Sequence, residues 1–163
     1  MKQAIAGVAP TDTEVEIMTI WPSISMYGLA RFHGQLYENK AGFGPIFTFG
    51  NAIALATIPA ALGLYFFRAI FGPRYRLSNR RVVIQKSLSG ADGAYVDLDR
   101  FDDITVSVRP GQGWYKAGDL IFTMAGAETF RLSSVQRPEP FRQTCLKAMQ
   151  GFVGVKKALG AGA

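Results

Sequence analysis

A chain of 163 residues has room for one small domain and one further element. Hydrophobic residues reach 48%, charged residues stop at 18% and mean hydropathy is +0.12, which is apolar for a small soluble domain yet too polar for a chain lying wholly in lipid. The net charge is −1 over residues 1–67 and +7 over residues 68–163, and a single His33 and a single Cys145 exclude an intrachain disulfide and a usual zinc site.

The N-terminus does not read as a secretory signal, because Asp12, Glu14 and Glu16 follow a short Ala/Val/Gly stretch. Residues 1–16 are expected as a tail. Residues 17–32 (IMTIWPSISMYGLARF) are apolar, but Pro22 and Gly28 interrupt them, and they are too short to span a bilayer. Trp21, Met26, Tyr27, Leu29 and Phe32 suggest an interfacial arm over 17–45, with a re-entrant or partner-packed segment as the alternative; a crossing made with neighbouring residues would return the N-terminus to the cytoplasm.

From Ala41 to Phe67 there are 27 positions without a charge. The apolar heart, Ile46–Phe67, is long enough for about 33 Å of helix, close to a hydrocarbon core. A transmembrane helix is therefore expected over 46–71, kinked at Pro59. Gly50–Ala54, Ala52–Ala56 and Ala56–Ala60 have the spacing that lets a partner helix approach closely. Arg68, Arg74, Arg76, Arg80, Arg81 and Lys86 follow within about 20 residues, so the C-terminal side is expected in the cytoplasm; with one crossing the N-terminus lies on the opposite face.

After Gly72-Pro73 the pattern changes to short strands between turns. Tyr75–Leu77 and Arg81–Lys86 flank the turn residues Ser78-Asn79. Ala94–Leu98 and Ile104–Val108 alternate apolar and polar. Leu120–Met124 and Thr129–Leu132 form a hairpin pattern, and Pro138-Glu139-Pro140 opens a helix whose apolar face is Phe141, Cys145, Met149 and Phe152. This predicts a mainly β domain over 74–152, a small barrel plugged by a helix, with a tail over 153–163.

The run Tyr75-Arg76-Leu77-Ser78-Asn79-Arg80-Arg81-Val82 resembles the opening of bacterial pleckstrin-homology-like (PH) domains, Y-x-L-T-N-x-R-[VI]. Val96-Asp97-Leu98 with Phe101–Val106, Ala117-Gly118-Asp119-Leu120, and Phe130-Arg131-Leu132 leading to Pro138-Glu139-Pro140 resemble later pieces of that family in the same order. The resemblance implies a bent, seven-stranded antiparallel barrel capped by a C-terminal helix. It also implies a binding or assembly module in the bacterial membrane, with no reaction attached. Eukaryotic PH domains often hold inositides on a basic loop between their first two strands; the Ser78-Asn79 turn, taken as that connection, leaves no such loop.

Candidate contacts to lipid headgroups or partners are Arg74, Arg76, Arg80, Arg81 and Lys86, with Trp114 and Tyr115 in a Gly-rich loop. The same cations also serve simply to set topology. Asp97, Asp99, Asp102 and Asp103 read as a solvated edge, Ser133-Ser134 has no His partner, and Gly113 and Gly118 are not a phosphate loop. No enzyme, metal, cofactor or nucleic-acid interaction is expected. The expected role is an adaptor or accessory subunit in the bacterial cytoplasmic membrane, among the lipid bilayer and other integral membrane proteins; the alternative is a sensor of anionic lipids.

Overall fold

The computed structural model describes residues 14–38, 42–43, 47–86 and 89–160. Seven main strands form two antiparallel sheets. The first has the order β1 (Glu16–Ile20), β4 (Pro73–Ser78), β5 (Arg81–Lys86), β6 (Asp92–Asp97). The second has the order β7 (Asp103–Ser107), β8 (Ala117–Met124), β9 (Ala127–Gln136). Two short strands, β2 (Gly42–Phe43) and β3 (Phe47–Thr48), pair only with each other.

Alternation explains the sandwich. Tyr75 and Leu77 on β4, Val82 on β5 and Val96 on β6 turn inward to meet Ile104, Leu120, Phe122, Leu132 and Val135 from the second sheet. Helix α4 (Pro138–Gly160) closes the open end with Phe141 and Cys145 buried and Met149 and Phe152 packed beside them, the face expected from their helical spacing. The β8–β9 turn is Ala125-Gly126, both at positive φ, which is the twist-matched two-residue hairpin turn.

The expected start of the domain at residue 74 is corrected. Glu16–Ile20 is not an interfacial arm but the edge strand of the first sheet, with Thr19 opposite Arg76 and Ile20 opposite Tyr75. Met18 and Ile20 pack on the core while Ile17 stays exposed, a period of two that four residues state only weakly. Past β1, Pro22 bridges to Val135 and the Ser23 amide donates to the Ser134 carbonyl at 2.7 Å, joining the two sheets. A 3-10 turn (Ile24–Met26) then leads into helix α1 (Gly28–Glu38).

The single spanning helix expected over 46–71 is also corrected. The chain forms α2 (Phe49–Ala56) and α3 (Ile58–Phe71), of 8 and 14 residues. No helix among the described residues is long and apolar enough to cross a membrane. Pro59 is the physical cause: it has no N–H for the carbonyl four residues back, and its ring crowds that turn. Thr57 takes φ −95° and ψ 1° at the break, although its amide still bonds the Ile53 carbonyl at 3.1 Å. Pro59 therefore divides the helix, where a kink within one helix was expected.

The topology changes the meaning of the apolar segment. Residues 21–72 lie between two strands that are hydrogen-bonded neighbours, so this excursion leaves the sandwich and returns to it at one end. The connection between the first two strands of the sheet is thus this excursion, and Asn79-Arg80 joins the second strand to the third.

Candidate interaction surfaces

The strand register separates the cations that the sequence places together. Lys86 pairs with Pro73, and Arg74 lies beside it, at the root of the excursion. Arg80 and Arg81 sit at the other end of β4, with Arg81 about 13 Å along the ladder from Arg74 and about 17 Å from Lys86. There Glu14 holds Arg81 in a two-point ion pair, with oxygens 3.1 Å from Nε and 2.8 Å from the terminal nitrogen. Arg76 lies 3.8 Å from Glu14 and 3.4 Å from Asp92, and the Arg81 guanidinium also lies over the Tyr95 ring. The bond from Arg81 holds the Glu14 carboxyl down at about 2, well below its ordinary range. Arg76 and Arg81 are therefore already committed to carboxylates of their own chain.

At the root, an open groove of about 440 Å³ is lined by Thr19, Ile20, Trp21, Arg68, Gln136 and Arg137. Arg68 donates to the Pro22 carbonyl and rests over the Tyr65 ring. Arg137 stands at positive φ, its amide donating to the Lys116 carbonyl at 2.9 Å. No carboxylate lines this groove among the described residues, and the sequence pattern does not reveal the groove. Its only signal in the sequence is that Arg68 is the first charge after the apolar run.

Trp114 and Tyr115 meet α1. Trp114 stacks on Tyr37 with centroids 4.7 Å apart and planes 12° apart, and His33 contacts both rings edge-on. The Tyr115 hydroxyl donates to the Ala30 carbonyl at 3.1 Å. Glu38 accepts the amides of Gly111 and Trp114, each at 3.0 Å. Backbone meets backbone here, since a Cβ on Gly34 would fall 2.3 Å from the Gly111 carbonyl oxygen. Trp114 remains 48% exposed, so the loop both clamps α1 and offers an aromatic edge outward.

Beneath this loop lies a buried polar network. Gln112 donates to Asp119 and to the Ser134 hydroxyl, both at 2.8 Å; the Ser134 amide donates to Asp119 at 2.9 Å; and Arg109 meets the other carboxylate oxygen at 2.7 Å. Burial opposes the charge on Asp119, but these donors outweigh it and hold the carboxyl below its ordinary value. The network fixes the start of β8 against the end of β9.

Among the described residues, no nucleophile, base and oxyanion site come together in this arrangement. Cys145 is buried in the core, and burial pushes its thiol up to about 12. Asp99 pairs with Lys156 at 2.8 Å, Asp103 lies 3.6 Å from Arg142, and Asp102 accepts the Ala125 amide, so these acids hold the fold together. No group of three or more potential metal ligands occurs among the described residues.

The third surface is α2–α3. Leu55, Ile58, Leu62, Phe66 and Ile70 recur at three- and four-residue spacing and are all exposed, Leu55 at 68% and Phe66 at 62%. Ala52, Ala56 and Ala60 are exposed as well, and the break at Thr57 puts Ala60 on a different helix from the others; the side chains at Gly50 and Ala54 lie outside the described residues. At its root α3 touches the 3-10 turn, where Phe67 meets Tyr27 with centroids 6.2 Å apart.

A four-plus-three antiparallel sandwich with one end closed by a C-terminal helix defines a PH-like module, whose common business is holding partners or lipids. The sequence profile of the family described as "Bacterial PH domain" matches residues 24–149, most of the chain, and the protein belongs to that family. The match begins at the 3-10 turn, so it includes the excursion. No curated protein and no solved structure matches the chain significantly.

Proposed function

We propose that this chain is a membrane-anchored, non-catalytic PH-like module serving as an adaptor or accessory subunit of a bacterial membrane protein complex. The observation that carries the reading is the exposed apolar stripe of α2–α3 on an otherwise well-buried sandwich. A stripe of this size beside a polar fold marks an interaction surface. In this reading the domain lies on the cytoplasmic side of the cytoplasmic membrane, which the excess of cations after the apolar run supports. The exposed edge of Trp114 gives the module a second contact of the kind that anchors protein partners. Purification through a tag in mild detergent tests this: stoichiometric co-purifying membrane proteins are expected, and a clean monomer would refute it.

Anionic-lipid sensing stands second. Its support is the root groove, where Arg68 and Arg137 line an opening with no carboxylate among its described lining residues. Binding to anionic vesicles should then fall steeply with salt and with the double change Arg68→Gln, Arg137→Gln. Equal retention on neutral vesicles would remove this reading.

A further inference from the structure

We infer that α2–α3 lies in one leaflet of the membrane as a monotopic insertion, entering and leaving through the same face, with the strands before and after it on one side. The inference rests on the membrane reading above and adds its topology, which departs from a single crossing.

Strand pairing decides the ends. Ile20 is opposite Tyr75 and Thr19 opposite Arg76, so the chain before the excursion and the chain after it belong to one hydrogen-bonded sheet. A single crossing would put a bilayer between those partners.

The far end of the helices is tied down as well. Glu38, the last residue of α1, is bonded to the Gly111 and Trp114 amides of the sandwich. Gly42 pairs with Thr48 and Phe43 with Phe47, so the connecting chain doubles back. The start of α2 therefore lies within about 23 Å of Glu38: about 14 Å for four extended residues, about 5 Å across the pair and about 4 Å for the next residue. Helix α2 packs on α1, and α3 ends at β4 with Arg68 bonded to Pro22. The two helices, about 12 Å and about 21 Å long, therefore leave from α1 and return to β4 of the same body.

The chemistry of the exposed stripe selects lipid as its occupant. The run Ala41–Phe67 has no charge, and the first charge after it is Arg68. Trp21 and Tyr65 are half exposed near that arginine, the amphipathic aromatics that favour headgroup depth. The net charge of +7 over residues 68–163 complements an anionic leaflet. Proline in the middle lets the two helices follow a surface instead of standing straight through it.

The test uses the full chain in bacterial membranes, with cysteines introduced one at a time as Val15→Cys before β1 and Gln150→Cys on α4. Native Cys145 is buried and should stay unlabelled, which the unmodified chain checks. An impermeant maleimide should label both sites in inside-out vesicles and neither in intact spheroplasts. A bimane on Phe66→Cys, or on Leu62→Cys if the first variant folds poorly, should be quenched more by spin labels near the headgroups than by labels at the chain ends. Labelling of the two cysteines from opposite faces would overturn the inference. Same-face labelling with strongest quenching at the bilayer centre would overturn the shallow insertion and leave membrane anchoring intact. No quenching by any lipid, with the chain washed off the membrane or its stripe covered by a second copy or a protein partner, would overturn the lipid-inserted reading itself.

Discussion

In the sandwich, Leu120, Phe122 and Phe141 are fully buried; in α2–α3, Leu55, Leu62 and Phe66 are each more than half exposed. The residue types are the same and the solvent differs. The sandwich satisfies its own hydrophobic groups and the helices leave theirs to be satisfied by something else. One region is a scaffold whose stability is internal, and the other is a surface whose stability is conditional on what it meets. Substitutions should therefore sort by region: those in the sandwich lower stability, and those on the stripe alter binding.

The largest loss of stability should come from Phe141→Ala, which removes a fully buried ring from the core that α4 closes. A cost of about 3–5 kcal/mol is expected in thermal or denaturant unfolding. Asp119→Ala should follow at about 3 kcal/mol, because it leaves Gln112 and the Ser134 amide without their acceptor and Arg109 without its counter-charge. Asp119→Asn retains an acceptor oxygen and should cost less; an equal cost would mean that the charge, and not the acceptor oxygen, is the working feature. Gly34→Ala should cost about 1–3 kcal/mol by overpacking against the Gly111 carbonyl. It should also change Trp114 fluorescence as α1 loosens. A silent fluorescence signal would show that the clamp tolerates the methyl.

The smallest effect belongs to the surface ion pairs. Glu14 is depressed from 4.5 to about 2, so its contribution is fully present above 4.5 and disappears as pH falls toward 2. Because the pair is substantially exposed, Glu14→Gln should cost less than about 1 kcal/mol at neutral pH. It should also flatten the decline of stability between pH 4.5 and 2, read from unfolding midpoints. An unchanged pH profile would show that the Glu14–Arg81 pair is not formed in solution.

Local pattern made the second half of the chain legible. The turn after Leu77, the inward Ile104 and Val106 and the Phe141–Cys145–Met149–Phe152 face all state their structure within a few residues; the turn itself falls on Asn79-Arg80, and Val108, expected on the same face as Ile104, lies past β7 and is 58% exposed. The first half required information that no window contains. Met18 and Ile20 become a strand only because β4, more than fifty residues later, supplies the hydrogen-bonding edge. The length of the apolar run and its Pro59 predict a single kinked helix, but neither reveals that the break at Thr57 makes two helices or that the strands flanking residues 21–72 are neighbours. The cation cluster was read by sequence proximity, whereas a six-residue strand separates Arg74 from Arg81 and carboxylates from distant segments meet the latter.

The most direct measurement of the central division is a paired one on the triple variant Leu62→Ser, Phe66→Ser, Ile70→Ser. Vesicle flotation and thermal unfolding would be compared with those of the unchanged chain. The account predicts that flotation is lost while the unfolding midpoint of the sandwich stays within the effect of exposed substitutions, about 0.5 kcal/mol. Retained flotation, or a midpoint that collapses with it, would contradict the division between a self-sufficient sandwich and a lipid-dependent pair of helices.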